Sequence, residues 1–212
     1  MADSVIEQST KELIDSLKQS CGSFGLGNDG NEYKIIVQVF LYKYFNDKFG
    51  YEAKNVPVYG DRLKAEAKWD AAYDKFSEDD VEDLFAYLPP STPRIRPHQT
   101  IAHLYNSMTQ GDFAVLFDAT LREIAVLNAD IFSIATDSKT KITVFDNSLI
   151  ATTINDPTKR DDFARSLMRR IADPRANFEP MFSEKYDFFS TMFEHLIKDY
   201  NKDGGGKYAE YY

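Results

Sequence analysis

The sequence predicts a mainly α fold, a compact domain of about seven to eight helices that carries one short β-hairpin. Three observations lead there. Apolar residues recur at three- and four-residue spacing over most of the 212-residue chain, which lines them up on one side of successive helices. Two β-branched runs flank a short polar stretch around residues 131–145. Most prolines and glycines fall between the periodic stretches, where they end helices or shape connections.

Asp3 or Ser4 can cap a first helix reaching about Gln19, with Val5, Ile6, Leu13, Ile14 and Leu17 on its apolar side. Residues 21–30 then read as a glycine-rich loop. A second helix from Asp29 or Asn31 to about Phe49 carries Ile35, Ile36, Val39, Phe40, Tyr42, Phe45 and Phe49. So little polar perimeter is left that this helix is expected at the centre of the fold. Residues 50–60 read as a loop, Arg62 to Lys75 as a polar helix, and Ser77 as the cap of a helix reaching about Tyr87. Pro89, Pro90, Pro93 and Pro97 imply a stiff extended crossing. Helices over Thr100–Thr109 and Asp112–Asn128 follow. Ile131–Thr136 and Lys141–Phe145 flank Asp137-Ser138-Lys139-Thr140 as a hairpin would. Asp156-Pro157 opens a helix to about Ala172, and a last helix spans Ser183–Tyr200.

Composition narrows the class. With 43% apolar and 14% aromatic residues the chain can bury one sizeable core. A net charge of −9 argues against a surface that coats DNA generally, because nonspecific affinity comes from neutralised phosphates. The single cysteine excludes an internal disulfide framework and fits a reducing compartment. No apolar run approaches the roughly 20 residues of a spanning helix. Residues 1–4, Met-Ala-Asp-Ser, lack a signal peptide's basic start. A soluble, cytoplasmic protein without a membrane partner is the expectation.

Most motif-like features reduce to plainer readings. Gly25-Leu26-Gly27-Asn28-Asp29-Gly30 has G-x-G-x-x-G spacing, but a dinucleotide fingerprint needs a buried strand before it, and an amphipathic helix stands there. Gly204-Gly205-Gly206-Lys207 is no P-loop, since Tyr208 occupies the Ser/Thr position. His98, His103 and His195 have no second ligand at metal spacing, so no zinc site is expected. Cys21 lacks a matching base. Asp79-Asp80-Val81-Glu82-Asp83 reads as an acidic first helical turn, favoured by the helix dipole.

The basic helix after Pro157 is the most interesting internal element. Phe163, Leu167 and Ile171 repeat every four residues and should face the core, which leaves Arg165 and Arg169 roughly opposite. With Lys159, Arg160, Arg170 and Arg175 nearby, this face is a candidate contact for double-stranded DNA phosphates or an acidic partner. The plainer reading is a solvated face partly neutralised by Asp161 and Asp162. Arg94-Ile95-Arg96 is a weaker candidate of the same kind.

Two stretches resemble a known family. Near the start stand Asn31-Glu32-Tyr33-Lys34 and Phe40-Leu41-Tyr42-Lys43-Tyr44-Phe45-Asn46-Asp47-Lys48-Phe49. Near the end stand Phe193-Glu194-His195-Leu196, the glycine turn 204–206, and Ala209-Glu210-Tyr211-Tyr212. In this order they are similar to the N-terminal helical domain of modification (M) subunits of type I restriction-modification systems. There a Tyr-Glu-x-Leu-like helix core precedes a glycine-rich turn and a Gly-Glu-Phe-Tyr-Thr-Pro signature. Ala209 stands for that glycine, Tyr211 for the phenylalanine, and the Thr-Pro pair would fall beyond Tyr212. The matches cover a minority of the chain, and its middle is not diagnostic.

The resemblance implies a division into a helical domain, residues 1–203, and a hinge, 204–212, that begins a methyltransferase domain. It implies a parent enzyme that methylates adenine N6 in DNA using S-adenosylmethionine. A specificity subunit, a second M subunit and a restriction subunit are the implied partners, and Tyr211 and Tyr212 are placed beside the cofactor. The stretch given carries no catalytic residues of its own on this reading. Its only Pro-Pro, Leu88-Pro89-Pro90-Ser91, lacks the polar and aromatic flanks of a base-flipping amino-methylase loop. The competing readings are a stand-alone helical interaction module and an independent hydrolase. The latter has no paired nucleophile and base in the sequence to support it.

Overall fold

A computed structural model gives the fold, and it describes residues 2–27, 30–132, 134–135, 141–142, 145–146 and 148–182. The expected last helix, the hinge and Tyr211 and Tyr212 lie outside the described residues. The fold is mainly α. Its elements are α1 (Ala2–Ser23), α2 (Gly30–Ala53), α3 (Pro57–Lys64), α4 (Trp69–Tyr73), α5 (Glu78–Tyr87), a 3-10 turn (Pro97–Gln99), α6 (Ile101–Asn106) and α7 (Phe113–Leu127). They continue with α8 (Ala129–Phe132), β1 (Ile134–Ala135), β2 (Lys141–Ile142), α9 (Leu149–Thr153), α10 (Pro157–Ile171) and α11 (Glu179–Phe182). Among the described residues, no helix is long and apolar enough to cross a membrane.

The apolar pattern of α2 puts it in the middle. Ile35, Ile36, Val39, Phe40, Tyr42, Phe45 and Phe49 are all at 0% exposure. Helices α1, α3, α10 and α11 pack against it. Rings carry much of this packing, with Phe49 5.1 Å from Tyr73 and Phe40 4.9 Å from Phe178. Such ring pairs contribute about 0.5–1.5 kcal/mol beyond the area they bury. Gly25, at a left-handed φ of 81°, follows α1 in a turn where Leu26 N–H donates to Cys21 O at 3.0 Å. The glycine run therefore closes a helix.

Local chemistry sets α5 and α10. Ser77 accepts from Asp80 N–H while Asp80 accepts from Ser77 N–H, a reciprocal capping box. Asp156 accepts from Thr158 N–H at 3.0 Å, and Pro157 supplies a pre-set first helical φ.

Three expectations need correction. Residues 50–60 are not one loop: α2 runs on to Ala53, and α3 begins at Pro57. The expected helix over 62–75 is broken at residues 65–68, and the indole of Trp69 lies across Gly50 of α2. The expected hairpin is not seen as such: among the described residues only two-residue segments pair, antiparallel with Ile134 opposite Ile142, and residues 133, 136–140 and 143–144 lie outside the described residues. The end of the second run packs elsewhere. Phe145 is buried 5.7 Å from Phe45, and Asp146 N–H donates to Gln38 Oε1 at 2.8 Å.

The proline crossing has no ladder of its own, so buried side chains satisfy its backbone. Asn128, at 0% exposure, accepts from Arg94 N–H at 2.6 Å and donates to Arg94 O at 2.8 Å. Tyr73 donates to Ile95 O and Tyr42 to Gln99 O, each at 2.7 Å. Burial pushes both phenols far above the usual tyrosine range, so they stay neutral donors.

Candidate functional site

Helix α10 buries Phe163, Ala164, Leu167, Met168 and Ile171, the face its sequence spacing predicts. The five basic residues proposed for DNA on this helix do not form one free row. Arg165 Nε donates to Met108 O at 2.7 Å, and its Nη2 donates to Gln110 O at 3.0 Å. The same guanidinium pairs with Asp161 at 3.0 Å and Asp162 at 3.3 Å and lies 6.0 Å from the Phe113 ring. Arg160 turns to the α9 side, donating to Ile154 O at 2.9 Å and Ala151 O at 3.0 Å. Arg170 reaches α1, where it donates to Ser20 Oγ at 3.2 Å and Gln19 Oε1 at 3.3 Å.

Lys159 and Arg169 remain outward. Lys159 is exposed and sits 3.8 Å from Asp156. Arg169 is exposed on the last turn of α10. Arg175 is engaged by Asp173 at 2.6 Å, which holds that carboxyl down at about 2. Of the weaker pair in the crossing, Arg94 meets Asp130 at 3.1 Å, and Arg96 meets Glu82 at 2.5 Å.

Asp161 has a task that the sequence reading missed. Residue 112, directly before α7, sits at a left-handed φ of 56° and makes no side-chain cap. Asp161 caps α7 from across the interface instead, accepting from Ala114 N–H at 2.8 Å. Burial alone would raise the Asp161 pKa. The Ala114 and Phe113 amides and Arg165 outweigh that and lower it. Asp161 and Arg165, one turn apart, therefore hold both sides of the 107–114 turn. The sequence signal was present as the four-residue Asp161–Arg165 spacing, which reads locally as charge neutralisation. A parallel case is Asp118, which accepts from Ile150 N–H at 2.8 Å and Ala151 N–H at 3.1 Å at the start of α9. Burial raises its pKa against the lowering effect of those amides.

Beyond the C-terminal end of α10 lies a cavity of about 970 Å³, lined in part by Lys43, Asp47, Trp69, Asp70 and His103. Its floor is an internal ion pair. Lys43 and Asp47 meet at 3.0 Å with both side chains at 10% exposure. Asp47 also accepts from Phe178 N–H at 3.2 Å, and Asn46 Oδ1 accepts from Ile101 N–H at 2.9 Å. At the side, His103 Nδ1 lies 3.0 Å from Asp74, and Lys54 pairs with Glu179. Asp70 Oδ1 is buried and has no hydrogen-bond partner among the described residues. The arrangement is suited to holding α2, α6 and the 172–179 turn together. Among the described residues, no group of three His, Cys, Asp or Glu side chains gathers at metal-binding distance. Cys21 is buried in the core.

No protein-family model, curated protein or solved structure significantly matches this chain, so its function is read from the sequence and the geometry above.

Proposed function

We propose that this chain is the N-terminal helical domain of a type I restriction-modification M subunit. Its role would be to assemble with the specificity subunit and to help close the complex around DNA. The parent protein then transfers a methyl group from S-adenosylmethionine to adenine N6, with the methyltransferase machinery in residues beyond Tyr212. The reading is carried by two sequence matches in the family's order, Asn31–Phe49 and Phe193–Tyr212. Consistent with it, the first match lies on α2, the helix around which the domain is packed.

On this reading Lys159 and Arg169 are the residues of α10 available to phosphates, while Arg160, Arg165 and Arg170 shape the surface that presents them. Reading the coding sequence past Tyr212 tests the assignment. Thr-Pro, a glycine-rich cofactor loop and an Asn-Pro-Pro-aromatic loop are expected there. A stop codon in their place would contradict it and favour a helical interaction module.

A further inference from the structure

The cavity beyond α10 carries one charge that the fold leaves uncompensated. Asp70 lies on α4 and Asp74 directly follows that helix, four residues later, so both carboxylates stand on one side of it, and both line the cavity. Asp74 has a partner in His103, at 3.0 Å. Asp70 has none. The side chain is half-buried and its Oδ1 fully so, and among the described residues the carboxylate makes no hydrogen bond or ion pair.

The neighbouring cations are engaged elsewhere or turned outward. Lys43 is held on the floor by Asp47 at 3.0 Å, and Lys54 pairs with Glu179. Lys64 and Lys68 line the cavity but are exposed, and neither forms an ion pair with Asp70. A half-buried carboxylate without a donor keeps its desolvation cost, and the like charge of Asp74 one turn away adds to it. A cation in the cavity would offset both. A metal ion fits poorly, because it needs several ligands at once, and among the described residues no three His, Cys, Asp or Glu side chains gather for it. The walls near Asp70 instead offer carbon surface from Leu63, Trp69, Tyr105 and Ile171. At about 970 Å³ the space is of the size that small-molecule sites occupy.

We propose that this cavity binds a small organic cation, with an ammonium or guanidinium group on the Asp70 carboxylate and the carbon body against Trp69. The head group donates N–H to the carboxylate in a charge-assisted hydrogen bond, the donor that Asp70 lacks within the fold. A free amine and an arginine side chain of a peptide present the same chemistry to the site. The site is independent of the family reading, because it rests on the cavity and its charges alone.

The test adds agmatine, a guanidinium and an ammonium joined by a butyl stem, to the full chain. Salt of about 0.15 M screens general attraction to a net charge of −9. Trp69 is the single tryptophan and adjoins Asp70, so its emission reports on the site. A saturable change is expected, and Asp70→Asn should weaken binding about tenfold or more, as the loss of a hydrogen bond to a charged group does. Asp70 has no partner to lose, so without ligand Asp70→Asn should melt at or above the parent temperature. That separates a lost site from a lost fold. A short peptide with one arginine, titrated in parallel, identifies the source. Tighter binding than agmatine means that a partner chain delivers the cation, and weaker binding means that a free amine does. No saturable change with either probe, or equal binding by Asp70→Asn, overturns the proposal. A melting point of Asp70→Asn well below the parent also overturns it, because Asp70 would then be held by the fold.

Discussion

Replacing Arg165 with Met keeps most of the aliphatic stem and deletes the guanidinium. Two backbone carbonyls lose their donor: Met108 O, at 2.7 Å in a partly buried setting, and Gln110 O, at 3.0 Å nearer solvent. Hydrogen bonds to charged groups contribute about 1.5–3 kcal/mol each, and the exposed one belongs at the low end. Asp161 keeps the Ala114 amide but loses its cation, which adds up to about 1 kcal/mol for a pair this close to the surface. Discounted for the solvent around this partly exposed guanidinium, the expected loss is at the low end of that sum, about 3 kcal/mol. In a chain of this size that lowers the melting midpoint by roughly 6–12 °C. Thermal unfolding followed by circular dichroism reads it directly. Arg165→Lys keeps the charge but cannot fork between two carbonyls, so it should fall in between. Arg169→Glu is the contrast, an exposed change expected to stay within about 0.5 kcal/mol of the parent. Should Arg165→Met melt with the parent protein, Arg165 is not a structural clamp, and the division of the basic face made above is wrong.

Three further outcomes are expected. Asn128→Ala leaves the Arg94 amide and carbonyl without their buried partner, so urea unfolding should show a loss of about 3 kcal/mol or more at unchanged slope. Gly50→Ala places a methyl 2.4 Å from the Trp69 indole, which must move. A cost of about 1–3 kcal/mol is expected, together with a shifted emission from the chain's single tryptophan. For pH, the Asp161 pKa is lowered on folding, so its stabilisation is complete above the ordinary carboxylate value of about 4 and is lost as pH falls through the lower folded value. Asp161→Asn should therefore flatten the acid limb of a stability-against-pH profile. The raised Asp118 carries the opposite sign, because the folded state takes up its proton first, so Asp118→Asn should steepen that limb. Acid limbs unchanged in both variants would refute these linkages.

The parts of the fold written in local chemistry were legible in the sequence. Ser77 acts as a cap where the sequence places it, a helix does follow Asp156-Pro157, and the four-residue repeat of Phe163, Leu167 and Ile171 does face the core. The dense apolar pattern of α2 announced its central position. Features set by distant partners were not legible. Residues 65–68, Ala-Glu-Ala-Lys, are good helix formers, yet the helix stops there, beside the point where Trp69 meets Gly50. Residues 141–145 have strand-like composition, but Phe145 belongs to the aromatic core around Phe45. For the basic face, the spacing of Phe163, Leu167 and Ile171 marked the buried side of α10 and nothing more. It carried no sign that carbonyls of the 108–110 turn would take up Arg165, since those acceptors are distant along the chain, or that the chain would fold back at residues 151–154 to offer carbonyls to Arg160. Asp161 likewise caps a helix that begins 48 positions earlier, at Phe113.

The functional reading is tested most directly by methyl transfer. The complete gene product is co-purified with its cognate specificity subunit, and labelled S-adenosylmethionine and duplex DNA are supplied. The account predicts label on adenine N6 that requires both subunits, and its loss when residues 1–182 are deleted. Transfer that persists undiminished without those residues, or no transfer by the intact pair, would contradict it.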